Sequence, residues 1–321
     1  MRRTPFAITL LLLSIGIRGL WGQSPQSTDH GLVGTWTLVT VEQRVESEKP
    51  AKVPGARGLL VFDSAGHMLE VVTRSNIEPI PGWSDLRSRL SLGGEWGSYL
   101  LDIGSKKITY KPVGAPSPNV MGSEFTRSFD LTGDRLTITS SAGELHMNGV
   151  TRWTWERVPT VAHFEEYRDV VGFWQHVVEQ RVNTATGAVL SETKRAPSVI
   201  LYTPSGYVGV HFPTLNRPRF VAGEPTEAEE RVLANYLGYF GALAVYPGMV
   251  FHHLMGNFPG NSAGNDLGGL ATGNTFKRFY KLQGDELRIT FPPGIGAGGQ
   301  QQTTVAILKR LSGEKEMLGQ Q

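Results

Sequence analysis

His252 and His253 stand side by side in Val250-Phe251-His252-His253-Leu254-Met255 and are the pair best suited to chemistry in this chain. An imidazole can act as metal ligand, as general acid or base near neutral pH, or as a hydrogen-bonding contact. The surrounding residues read as a strand, in which successive side chains face opposite ways. Val250, His252 and Leu254 then share one face and Phe251, His253 and Met255 the other. The pair is therefore not expected to ligate one metal, and at most one of the two faces an interior. That one either contacts a ligand or acts as acid or base, or is satisfied by a nearby hydroxyl or backbone group. Tyr207, Gly209 and His211 alternate along a second strand, with Asn216 and Arg217 just beyond. Facing inward, they offer several hydrogen-bonding groups to a ligand; otherwise they pack, and Arg217 anchors a loop. With Tyr236 and Tyr239 from the end of a predicted helix, the candidate ligand-binding set is Tyr207, His211, Arg217, Tyr236, Tyr239 and His252.

Two motif matches are set aside on context. Gly260-Asn261-Ser262-Ala263-Gly264 has the spacing of a nucleophile elbow, which needs a strand, a sharp turn and a helix. Its Gly- and Asn-rich surroundings predict a loop. Gly294-Ile295-Gly296-Ala297-Gly298-Gly299 has dinucleotide-binding spacing, but a Gln-rich stretch and a strand follow where a helix is required. It too reads as a loop. The remaining histidines are scattered and no calcium-loop pattern occurs, so neither a metal site nor a cofactor is expected.

The elements that must position these residues come in two copies. Val33-Gly34-Thr35-Trp36 recurs as Val171-Gly172-Phe173-Trp174, and Phe125-Thr126-Arg127-Ser128-Phe129 recurs as Phe276-Lys277-Arg278-Phe279-Tyr280. The Trp offset is 138 and the Phe offset 151, far above the period of stacked solenoid repeats. Each copy is large enough to bury its own core, so the chain reads as a tandem duplication over residues 31–158 and 168–311. Both copies open on alternating apolar and polar residues, and both contain hairpin signals, at Ser64-Ala65-Gly66 and Pro204-Ser205-Gly206. Gly-Asp turns follow at Gly133-Asp134 and Gly284-Asp285. Many short antiparallel strands predict a barrel or sandwich in each copy. In the first strand Trp36, Leu38 and Thr40 are expected on one face and Val39 and Val41 on the other. Because the second copy has one residue fewer between Trp174 and Glu179, one copy is expected to carry a bulge. A capping box at Thr226-Glu227-Ala228-Glu229, followed by Val232, Leu233, Tyr236, Leu237 and Phe240, predicts a helix over 227–240. The first copy has only a shorter candidate around Asp85 to Leu92.

Composition bounds the function. The formal charge is +2, and removing residues 1–23 leaves 28 basic against 29 acidic residues, no footprint for nucleic acid. Arg2-Arg3 followed by the apolar run Phe6 to Ile17 reads as a signal peptide over residues 1–23, with an uncleaved anchor as the alternative. The run is short for a transmembrane span, and no later run is long enough. The chain has no cysteine, so a secreted or periplasmic protein of this sequence is held together by its cores.

Leu32-Val33-Gly34-Thr35-Trp36, Gly206-Tyr207, Tyr236-Leu237-Gly238-Tyr239-Phe240-Gly241, Val250-Phe251-His252-His253 and Phe276-Lys277-Arg278-Phe279 with Gly284-Asp285-Glu286-Leu287 together resemble the bacterial and fungal lipocalin-like domain family. The resemblance covers nearly all of residues 168–311 and, more loosely, residues 31–158. It implies an all-β fold of two tandem antiparallel lipocalin-like β-barrels, here with the predicted helix at the second barrel's mouth. The first copy departs most, with Tyr110-Lys111 opposite His252-His253, and reads as a divergent or scaffolding copy. The expected function is binding of a small apolar molecule in the second barrel. The alternative is an isomerase or cyclase on an apolar metabolite, with His211 or His252 as acid/base.

Overall fold

The computed structural model describes residues 31–44, 49–74, 94–141, 144, 149–213, 217, 219, 236–258, 272–296 and 298–313. Two closed antiparallel barrels follow one another in the chain. The first comprises β1 (Gly34–Arg44), β2 (Ala51–Lys52), β3 (Ala56–Phe62), β4 (His67–Arg74), β5 (Trp96–Asp102), β6 (Lys107–Gly114), β7 (Phe125–Thr132), β8 (Arg135–Thr139) and β9 (Val150–Val158). Pairing of β1 with β9 closes it, and β2 is a short appendage on β1. The second comprises β10 (Gly172–Asn183), β11 (Val189–Tyr202), β12 (Tyr207–Phe212), β13 (Leu237–Tyr246), β14 (Met249–Asn257), β15 (Thr275–Gln283), β16 (Glu286–Thr290), β17 (Gly294–Ile295) and β18 (Gln301–Arg310). Pairing of β10 with β18 closes it, and β17 is the appendage. Closure leaves no long open sheet edge in either body.

Each barrel is sealed at one end by the same device. Trp36 and Trp174 are fully buried, and their indole N–H groups donate to Leu32 O (3.0 Å) and Val170 O (2.8 Å). Arg157 lies 4.1 Å over the Trp36 ring and Arg310 4.2 Å over the Trp174 ring. Each arginine then donates to backbone carbonyls of the entering chain, Val33 and Gly31 or Val171 and Asp169. Gly34, at φ 145°, leaves room for this fork, because a Cβ there would lie 2.6 Å from Arg157 Nη1. The turns at Phe164–Glu166 and Arg168–Val170 carry Tyr167 and Val170 into the second core, so the segment between the barrels plugs the second one.

Three sequence expectations change. First, both opening strands are bulged at the same place, the register skipping Val39 in β1 and Val177 in β10. The bulge returns Val41 to the core face that Trp36 occupies, so Val41 does not face away from it. It also means that Glu42-Gln43-Arg44 and Glu179-Gln180-Arg181 match in letters but not in position. Second, Leu237 to Phe240 begins β13 and is not the end of a helix. Tyr239 and Leu243 point into the barrel and Tyr236 and Phe240 out of it, a period of two. The helical spacing came from joining outward and inward residues of a strand to those before it. Residues 227–235 and 85–92 lie outside the described residues. Third, Gly294-Ile295 is a strand, β17, in a hairpin with β18, and Gly296 N donates to Gln300 O. Ser262 lies outside the described residues.

The barrels share a third core between them. Leu59, Leu69, Val71 and Trp96 of the first pack with Phe173, Val199, Leu201 and Phe240 of the second, beside Phe258 and Leu311. Gly209 lies against this shared core, and a Cβ on it would fall 2.7 Å from Leu69 Cδ2.

Candidate functional site

Strand β12 decides the fate of half the candidate residues. Val208 and Val210 lie in the second barrel's core, so the alternate residues Tyr207, Gly209 and His211 face outward, toward the first barrel. The fully buried His211 Nε2 lies 3.0 Å from Glu70 O. A carbonyl only accepts, so Nε2 carries the proton and Nδ1 accepts from Tyr236 Oη at 2.6 Å. Burial holds the His211 pKa at about 3, leaving the ring neutral. Arg217 stacks 4.8 Å over the Tyr236 ring and donates to Pro116 O and Ala115 O of the β6–β7 loop. Tyr207 packs at the edge of the shared core. His211, Arg217 and Tyr236 thus form one polar network between the barrels.

Tyr239 and His252 lie inside the second barrel, and the structure brings them together with two residues outside the candidate set. Tyr202 Oη is 3.1 Å from His252 Nε2 and Tyr239 Oη is 2.9 Å from Nδ1. Burial, helped by the Arg278 charge, lowers the His252 pKa to about 3. A neutral imidazole donates with one nitrogen and accepts with the other. One tyrosine therefore accepts from His252 and keeps its own O–H for another acceptor. Burial pushes the phenols up, Tyr239 to about 12. Arg278 points inward from β15, its guanidinium 4.2 Å over the Phe291 ring and 5.0 Å over the Phe276 ring. Burial lowers its pKa, against the pull of Tyr239 and Tyr202. Among the described residues no carboxylate pairs with it. His253 faces out and bonds Thr275 Oγ1 at 2.8 Å.

The shared register superposes the barrels position by position. Ile108 pairs with Arg127 as Val250 pairs with Arg278, so the two arginines are equivalent, and so are Tyr110 and His252. By the same pairings Phe62 corresponds to Tyr202 and Glu70 to Val210. The bulges before Gly97 and Gly241 equate Glu95 with Tyr239. Trp153 corresponds to Ala306. Arg127 is fully buried, 3.3 Å from Glu70, 3.0 Å from Glu95 and 2.7 Å from Glu144. In the second barrel the same arginine faces valine and tyrosine where the first has Glu70 and Glu95.

The candidate set did not include Arg127 and Arg278, although a signal for them was present. In Phe125-x-Arg127-x-Phe129 the arginine occupies a core-facing position of an alternating strand, and the second copy repeats it. Among the described residues, no group of three His, Cys, Asp or Glu side chains is placed to hold a metal ion. No described helix is long and apolar enough to cross a membrane.

Comparison with known proteins bears on the second barrel. Residues 171–311 match the family described as lipocalin-like domain. No curated protein sequence matches the chain. An uncharacterized protein from Saccharomyces cerevisiae aligns at 8% identity over 86% of this chain and 99% of its own, with a TM-score of 0.40. A protein of unknown function from the DUF3598 family of Nostoc punctiforme aligns at 9% identity over 87% and 96%, with a TM-score of 0.22. The second barrel of this chain is thus similar to the lipocalin-like domain family, and the first repeats its architecture in tandem.

Proposed function

We propose that the protein is an exported binding protein whose second barrel holds a small, largely apolar molecule bearing one acidic or hydrogen-bond-accepting end. The observation that carries this reading is the inward Arg278 without a carboxylate partner among the described residues, beside the Tyr202–His252–Tyr239 chain. An arginine inside a barrel favours an anionic or strongly accepting partner. The phenolic O–H left over from the chain is a second donor for the same group. Apolar walls with a few convergent polar groups are the usual make-up of a small-molecule site. Ala306, standing where the first barrel has Trp153, supports a roomier interior. The export part of the proposal rests on Arg2-Arg3 and the apolar run that follows them. Both ring nitrogens of His252 are engaged and His211 lies between the barrels, so the proposal is for binding rather than acid/base turnover.

The test is a fluorescence titration of the full chain with dansylated undecanoic acid and with its methyl ester. The acid is expected to bind more tightly, and Arg278→Met to weaken it about tenfold or more while affecting the ester less. Equal affinity for acid and ester, unchanged by Arg278→Met, would refute the role given to Arg278.

A further inference from the structure

The first barrel differs from the second in more than divergence of sequence. Around Arg127 it gathers Glu70, Glu95, Glu144, Tyr110 and Trp153, all buried. One guanidinium faces three carboxylates, so the cluster stays negative even when one carboxyl holds a proton. Glu70 is able to do so: burial, and then Glu95, raise its pKa to about 8. The cluster is also incompletely bonded. Among the described residues Glu70 Oε1, Arg127 Nη2, Tyr110 Oη and Trp153 Nε1 have no hydrogen-bond partner, and Glu95 Oε1 makes only its ion pair. A buried polar group without a partner is costly, and here several converge on one interior.

We propose that the interior of the first barrel around Arg127 is a second binding site, of opposite sign to the first, for a small organic cation such as a protonated amine. An ammonium group supplies donors for Glu70 Oε1 and Glu95 Oε1 and compensates the excess carboxylate charge. A hydroxyl or other acceptor on the same molecule serves Tyr110 Oη and Arg127 Nη2. The aromatic faces of Tyr110 and Trp153 already carry a cation, with the Arg127 guanidinium 4.9 Å and 4.7 Å from their ring centres, and suit a second. An anion is disfavoured by the remaining carboxylate charge of the cluster, which would repel it at short range.

The test is calorimetric titration and thermal shift of the full chain with ethanolamine, benzylamine and tyramine, against benzyl alcohol and benzoate as probes of similar size. At least one amine is expected to bind and raise the melting temperature, with neither comparator doing so. Glu95→Gln is expected to weaken that amine tenfold or more, Glu70→Gln to weaken it in the same direction, and Arg278→Met in the other barrel to leave it unchanged. If Glu95→Gln does not fold, the Glu70→Gln result decides. Failure of all three amines to exceed benzyl alcohol and benzoate would overturn the proposal. Amine binding that survives both glutamate substitutions, or is lost with Arg278→Met, would do so as well.

Discussion

Residue identity at a shared position separates the chemistry of the two barrels. Arg127 and Arg278 occupy one register position, yet Arg127 is surrounded by glutamates and Arg278 by phenols, an imidazole and aromatic rings. A buried charge must be matched by partners of its own protein or by something that binds. The histidines add a pH signature. His211 and His252 are held neutral, with pKa values near 3 against an ordinary 6.5. The folded state thus binds fewer protons than the unfolded chain between those values. Their contribution to stability is present above pH 6.5 and is lost as pH falls toward 3. Glu70 acts in the opposite sense: its raised pKa gives stability that is present below 4.5 and is lost as pH rises through about 8. Melting temperature measured against pH is therefore expected to decline on both sides, and Glu70→Gln to flatten the alkaline side. A variant whose alkaline decline matches the parent would remove Glu70 from this account.

Elements fix which residues can meet. The bulges at Val39 and Val177, and those before Gly97 and Gly241, recur in both barrels, which is why one register describes both interiors. Trp36 and Trp174 anchor equivalent barrel ends, and replacing either by Ala is expected to cost about 3–5 kcal/mol in denaturant unfolding. A loss below about 1 kcal/mol at both sites would contradict that role. Much of this architecture was legible in the sequence: the repeat, the hairpins at Gly66 and Gly206 and the Gly-Asp turns all write their positions in local residue types. Facing was less legible. The bulge reverses the alternation after Leu38, and β12 could be read with either face inward until β13 and the first barrel were in place. Tyr236 and Phe240 mimic helical spacing because both belong to an outward face whose partner lies more than a hundred residues away, on β3 to β5. His252 was visible as a candidate, whereas its partners Tyr202 and Arg278 come from strands far apart in the chain and gave no local sign of meeting.

At the scale of the whole molecule the two barrels are joined by an apolar core and by the His211–Glu70 and Arg217–Ala115 hydrogen bonds. A shared core predicts one cooperative unfolding transition, seen as a single calorimetric peak with matching van't Hoff enthalpy. Two separated peaks would mean that the barrels unfold independently. His211→Ala leaves the Glu70 carbonyl and the Tyr236 hydroxyl without their partner and is expected to destabilise the protein by about 1–3 kcal/mol. Binding of dansylated undecanoic acid by the folded variant is expected to persist, because His211 faces away from the second interior.

The claim on which the account most depends is that the second barrel, and not the first, takes the apolar ligand. The two interiors differ most simply at one position, where the first has Trp153 and the second the much smaller Ala306. Ala306→Trp rebuilds the second interior in the manner of the first. Titration of the folded Ala306→Trp variant with dansylated undecanoic acid is expected to show at least a tenfold loss of affinity while amine binding by the first barrel is retained. Undiminished binding of the acid by that variant would contradict the placement of the site.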